Sequence, residues 1–300
     1  FGRFYGTLTA KEGLTFPFET SWKIDHEDRA DDLTLQLPDT PLKHDDFGAK
    51  FGIKYKPGRA GVALITEYRK LRYDNSVSKD TNQLIVRADA DHDVTAIGLK
   101  TDFDFKNDVH LYFNTRITDR NFKMFSFENG GFTGPSRDSE TVLGLFGLAF
   151  NFKGIQVDME TGYIDYNYDD DAIEEVREII GNVNLNWDVA NLFTAHFNYD
   201  RSIHEDDEVI RPILRNKSKL WVDREIGQNI LVGLGGTYEN MDFEGIARED
   251  EIYTFSVMLD YFFSRFSAIG VEYNYSSRDS DGQNLDYDRN MFLLRLNGRL

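Results

Sequence analysis

Long stretches of the chain alternate apolar and polar residues with a period of two. In VTAIGLKTDFDF (94–105), Thr95, Ile97, Leu99, Thr101, Phe103 and Phe105 fall on one side, and Ala96, Gly98, Lys100, Asp102 and Asp104 on the other. In 252–263, Tyr253, Phe255, Val257, Leu259, Tyr261 and Phe263 oppose Thr254, Ser256, Met258 and Asp260. In 268–278, Ile269, Val271, Tyr273 and Tyr275 oppose Gly270, Glu272, Asn274, Ser276 and Arg278. Successive side chains of a strand point to opposite faces, so the pattern predicts strands with one greasy and one polar face.

The runs last about 10 to 14 residues and pair through tight turns such as Pro57-Gly58 and Lys153-Gly154. Hairpins are predicted at 47–56 with 59–73, 94–105 with 109–122, 140–152 with 155–168, 175–187 with 192–203, 213–225 with 229–243, and 252–263 with 267–278. A run at 14–25 precedes them and one at 287–300 follows. That makes about 14 strands, an even number that puts both termini on one side. Residues 1–10 read as one more strand, which would need an upstream partner and give about 16; alternatively 1–13 is a periplasmic lead-in. TNQLIVRADA (81–90) is a candidate to extend a loop into a hairpin.

Strand length decides between water and lipid. Globular strands average about 5 or 6 residues, whereas a tilted strand crossing the hydrocarbon needs about 9 to 11. Tyr73, Tyr163, Tyr166, Tyr168, Tyr199, Tyr273 and Tyr275 lie near strand ends, as an interfacial aromatic girdle would. The expected fold is therefore all-β: residues 1–300 as a single transmembrane, up-and-down antiparallel β-barrel in a bacterial outer membrane, with a soluble propeller as the rival. The tight turns would be periplasmic. The longer connections would be extracellular: 26–32, 129–139, 169–175, 205–208 and 248–251, most of them acidic.

Composition sharpens this picture. Mean hydropathy is −0.50, and no window holds about 18 consecutive apolar residues, so a transmembrane helix is not expected. Alternation averages hydropathy out in a barrel, and the 24 Phe and 15 Tyr supply its greasy face. The absence of cysteine removes disulfides, thiol catalysis, Cys-ligated metals and covalent attachment of c-type haem. A net charge of −18 argues against nucleic acid as a partner. The sequence opens directly in strand-like text at Phe1-Gly2-Arg3, as in a mature or trimmed chain whose export signal has been removed.

The last run carries a more specific signal. Phe292, Leu294, Leu296 and Leu300 share one face, interrupted by Gly298. This resembles the C-terminal assembly signal of outer-membrane proteins, with Leu300 where Phe is usual, and implies the barrel-assembly machinery as a partner. The whole pattern resembles the β-barrel porin families of Gram-negative bacteria, which implies contact with outer-membrane lipid and lipopolysaccharide. More locally, LQLPDTPLKHDD (35–46) and FGIKYKPGRAGVALITEYRKLRYDN (51–75) are similar to hairpins in the barrel sheaths of decahaem cytochrome conduits. That likeness implies a multihaem cytochrome as a possible guest.

The polar faces carry the candidate chemistry. Lumen-lining, solute-binding candidates are Lys50, Lys54, Arg69, Lys100, Arg116, Arg120, Arg215, Lys217, Lys219 and Arg295, with Lys56 beside them. Acidic counterparts are Glu67, Asp102, Asp104, Asp158, Glu160, Asp200, Asp223, Asp260 and Glu272. They either bias which solutes pass or brace the wall as cross-strand ion pairs. Arg215, Lys217 and Lys219 share one face of one strand and must repel unless lumenal carboxylates, an anionic solute or a docked partner neutralise them. His26, His44, His92, His110, His196 and His204 are scattered without metal-ligand spacing, and no G-x-S-x-G elbow is present. No catalytic residue, metal site or cofactor is expected. The acidic loops lack the full calcium-loop pattern.

Three functions fit. The expected one is a porin-like channel for passive diffusion or export of polar solutes, anionic ones included, or of polysaccharide, with a periplasmic export partner as the alternative guest to a multihaem cytochrome. The alternatives are a sheath around a multihaem cytochrome and a structural or surface-recognition barrel.

Overall fold

The structure, a computed structural model, describes residues 1–26, 43–77, 84–85, 87–106, 108–125, 134–190, 192–205, 212–264, 266–282 and 285–298. Its strands are β1 (Gly2–Lys11), β2 (Leu14–His26), β3 (Lys43–Tyr55), β4 (Ala60–Tyr73), β5 (Ser76–Val77), β6 (Leu84–Ile85), β7 (His92–Lys106), β8 (Val109–Phe122), β9 (Ser139–Phe152), β10 (Ile155–Tyr168), β11 (Val176–Ala190), β12 (Phe193–Glu205), β13 (Pro212–Ile226), β14 (Ile230–Phe243), β15 (Glu249–Ser264), β16 (Ser267–Ser280) and β17 (Tyr287–Gly298). All but β5 and β6 form one 15-stranded sheet in chain order, every neighbour antiparallel. β5 and β6 make a separate two-stranded hairpin between β4 and β7, as the 81–90 stretch suggested. No helix occurs among the described residues.

The fold class is the expected one; among the described residues the large sheet holds 15 strands, between the expected 14 and the alternative 16. The extra strand is β1, which pairs with β2 from Gly2↔Trp22 to Lys11↔Leu14. An odd count also separates the ends: β1 starts at the long-loop end of the sheet and β17 finishes at the short-turn end. Among the described residues, the outer edges of β1 and β17 have no strand partner.

The turn residues explain the tight connections. Lys153 and Gly154 both take positive φ (50° and 82°) between the paired ends Phe152 and Ile155. This left-handed two-residue turn matches the twist of the flanking strands. The short connections join strands at one end of the sheet, and β2, β4, β8, β10, β12, β14 and β16 finish at the other, where the longer connections of the sequence begin. Residues 27–32, 35–42, 129–133 and 206–208 of the segments singled out in the sequence, and Leu300, lie outside the described residues.

Register confirms the two faces. One row runs Phe18↔Phe51↔Thr66↔Ile97↔Ile117↔Val142. The row beside it runs Glu19↔Lys50↔Glu67↔Ala96↔Thr118↔Thr141. Phe51, Ile97, Phe146, Leu234 and Phe255 stand exposed on the apolar face. So large a continuous apolar surface is incompatible with a monomer in water and suits acyl chains. The tyrosine girdle is only partly as expected. Tyr163, Tyr199, Tyr273 and Tyr275 share the apolar face, but Tyr73, Tyr166 and Tyr168 lie in register with polar-face residues. Tyr166 is buried.

Candidate functional site

All ten expected cations lie on the polar face, and other side chains of that face answer most of them. Lys50 lies 3.3 Å from Glu67, which also accepts from Arg116 at 3.0 Å. Arg69 makes a two-pronged contact with Asp46 at 2.9 and 2.7 Å. Arg215 reaches Asp200 at 3.3 Å, and Lys217 reaches Glu239 at 2.8 Å. Lys219 lies 5.9 Å from the centre of the Trp221 ring, and Lys100 sits 4.4 Å from that of Tyr112. Arg120 donates to the Tyr166 hydroxyl at 3.2 Å. Arg295 is shared between Asp260 (3.2 Å) and Glu272 (3.4 Å). Lys54 has no ion-pair partner among the described residues. The repulsion expected along Arg215, Lys217 and Lys219 is thus relieved by protein groups. Half-exposed pairs of this kind contribute about 0–1 kcal/mol each; their larger effect is to flatten the field along the wall.

Asp102, Asp104 and His110 bring potential metal-ligating atoms within 4.8 Å of one another. The Lys56 ammonium already fills the cationic role there, 2.5 Å from Asp102 and 2.7 Å from Asp104. His110 Nδ1 lies 2.7 Å from Asp104.

The long-loop end of the polar face is packed. Ile164, Tyr166 and Val176 form a buried apolar cluster joined by Leu143, Tyr168 and Ile180. Loop residues at this end are buried too, Ala90, Arg137 and Ile173 among them, and the Arg137 guanidinium lies 4.3 Å from the Phe122 ring centre. Asp170 clasps two loops by accepting the backbone N–H groups of Ala172 and Ser136, both at 3.0 Å. Those two bonds hold its carboxyl below the usual carboxylate range. Further round, the fully buried Asp250 is gripped by Arg248 (2.8 Å) and Arg278 (2.5 Å) beneath Phe243 and Ile213.

The short-turn half is open and amide-rich. Register brings Asp158 opposite Asn184, Gln156 opposite Asn186, and Asn184 opposite Asn198. Asn184 donates to Asn182, and Asn198 donates to Asn184 at 2.6 Å. His196 spans Asn186 (2.6 Å) and Asp223 (3.1 Å). Asn151 and Gln156 have no side-chain hydrogen-bond partner among the described residues. Asp158 and Glu160 have no cation there either; they share the Tyr112 hydroxyl at 3.1 and 3.2 Å. A cavity of about 730 Å³ opens here, lined by Asp104, His110, Asn151, Gln156, Asn184 and Asn186 among others.

Glycines flatten two aromatic rings against this wall. A Cβ on Gly147 would come within 2.0 Å of the Tyr112 ring, and one on Gly235 within 2.2 Å of the Trp221 ring. Each ring lies across a neighbouring strand where only a hydrogen leaves room. Sequence reasoning found Lys100 and Lys219 but missed these platforms and the asparagines. The signal was present in Asn182, Asn184, Asn186 and Asn198, whose alternate spacing puts them on the polar face.

Comparison with known proteins adds the following. The family model described as "Putative beta-barrel porin 2" matches residues 3–300. No curated protein matches the chain. Among solved structures, the FrpB iron transporter from Neisseria meningitidis (F3-3 variant) is similar with a TM-score of 0.52 and 6% identity, over 91% of this chain and 51% of that one. The alcaligin outer-membrane receptor FauA from Bordetella pertussis gives a TM-score of 0.52 and 12% identity, over 99% and 57%. The outer-membrane channel DcaP of Acinetobacter baumannii gives 0.48 and 13%, over 97% and 99%. The chain spans about half the length of the first two of these proteins.

Proposed function

We propose, from the premise that this chain belongs to the Putative beta-barrel porin 2 family, that it is a diffusion channel for polar solutes of little net charge. The chain is an outer-membrane β-barrel protein, and its family and fold support a porin-like channel. The finer reading rests on one observation: most cations of the inner wall are matched by a carboxylate or an aromatic ring of the wall itself. Compensated charge leaves hydrogen-bonding groups, rather than a net field, to meet a passing solute. An anion-selective pore would call for the opposite, a row of cations left unanswered. The test is reconstitution of the full chain in a planar bilayer under a salt gradient. Stepwise conductance with a reversal potential near zero is expected. Strong selectivity for one ion sign removes the proposal, as does a silent bilayer.

A further inference from the structure

The wall between β8 and β13 combines features that no other stretch of the polar face brings together among the described residues. Tyr112 stands at one side, laid flat over Gly147, and Trp221 at the other, laid flat over Gly235. Between them run Asn182, Asn184, Asn186 and Asn198, with Asp158 and Glu160 beside them. Five strand spacings separate the two rings along the curved wall, about 24 Å at roughly 4.8 Å per strand.

Each part has a distinct chemical use. An amide side chain offers two N–H donors and one acceptor oxygen. The ladder of Asn198 to Asn184 to Asn182 uses only some of these. Gln156 and Asn151 add further amides with no partner among the described residues. An amide can therefore donate to one hydroxyl of a vicinal diol while accepting from the next. Asp158 and Glu160, held by a hydroxyl rather than a cation, add acceptors that suit O–H donors. The flat indole face of Trp221 suits the C–H faces of sugar rings, which are apolar and planar enough to stack. Arg59 lines the cavity and Lys100 and Lys219 border the track, but Asp158 and Glu160 face it with no cationic partner among the described residues, which disfavours an anion at its centre. A purely apolar ligand would strand the amides, at a cost for each buried unpaired group.

We infer that this stretch of inner wall is a binding track for neutral oligosaccharide, with Trp221 as the stacking platform and Asn184, Asn186 and Gln156 as hydroxyl-reading groups; the Tyr112 ring, covered by Gly147 on one face and Lys100 on the other, borders the track. The inference rests on the channel reading for its access route, but binding and conductance can be measured apart. The full chain in detergent micelles is titrated with maltohexaose and with cellohexaose by calorimetry, with citrate as an anionic control. Folding of each variant is checked by its heat-modifiable mobility on a gel. Saturable binding of at least one hexasaccharide is expected, not displaced by citrate. Trp221→Ala and Asn184→Leu should each weaken it about tenfold, as a site built to pair hydroxyls loses affinity when a partner is removed. If Trp221→Ala fails the folding check, Trp221→Phe keeps a platform and should retain binding within a few-fold, while Asn184→Leu carries the test. Absence of binding by both hexasaccharides overturns the inference, and so does tighter binding of citrate or indifference to these substitutions. A channel that conducts yet ignores sugar loses the track and keeps the pore; a sugar-binding barrel that never conducts keeps the track and loses the pore.

Discussion

The two ends of the polar face have been built to different rules. At the long-loop end it is packed like a small protein core: Ile164, Tyr166 and Val176 touch one another, and loop residues such as Ile173 and Arg137 are buried too. At the short-turn end the same strands, β9 to β11, turn amide and carboxylate side chains toward an open cavity. One strand thus changes character along its length: β10 carries Gln156, Asp158 and Glu160 at one end and Ile164 and Tyr166 at the other. The packed end supplies rigidity beneath the loops. The open end leaves hydrogen-bonding capacity unspent, which is what a passing solute can use.

The largest expected effect lies in the packed end. Ile164→Ala should lower stability by about 2–4 kcal/mol, as truncation of a buried aliphatic does. Asn184→Ala in the open end should cost less than about 1 kcal/mol. Urea unfolding in lipid vesicles measures both, and equal losses would erase the distinction. Gly147→Val comes next. It must push the Tyr112 ring off the wall, at about 1–3 kcal/mol for the overpacking, and should lower single-channel conductance by moving that ring into the lumen. A smaller, purely electrical effect is expected of Glu67→Gln, which releases Lys50 and Arg116 together. The reversal potential should shift toward anion selectivity with stability changed by about 1 kcal/mol or less; an unmoved potential would mean that this pair does not face the permeation path.

The smallest effect concerns pH at the packed end. The Asp170 carboxyl is held below its ordinary range by the N–H groups of Ala172 and Ser136. Its contribution is therefore complete above the ordinary carboxylate pKa and is lost as pH falls through the lower folded value. Acidification should open the clasp between 134–138 and 169–175 and expose those loops to an acid protease. Asp170→Asn should already show the raised cleavage at neutral pH.

Much of this architecture could be read from period-two patterning, because a strand's facing is a local property. Hence the polar-face placement of Lys50, Lys100 or Arg295 needed no partner to be known. What escaped was everything that depends on register between strands. Glu67 serves both Lys50 and Arg116 across three strands, and the Tyr112 ring lies over a glycine of β9. Tyr166 and Tyr168 were read as interfacial because they sit near a strand end, but loop packing claims them for the interior. The strand count was legible only to within one or two for a related reason: whether 1–10 is a strand of the sheet depends on β2 accepting it as a neighbour.

The two outermost strands of the sheet share a heading. β1 and β17 both run from the long-loop end toward the short-turn end, and the outer edge of each has no strand partner among the described residues. Backbone N–H and C=O groups left unmet along such an edge are costly in hydrocarbon. These two edges are where deuterium should enter the backbone soonest.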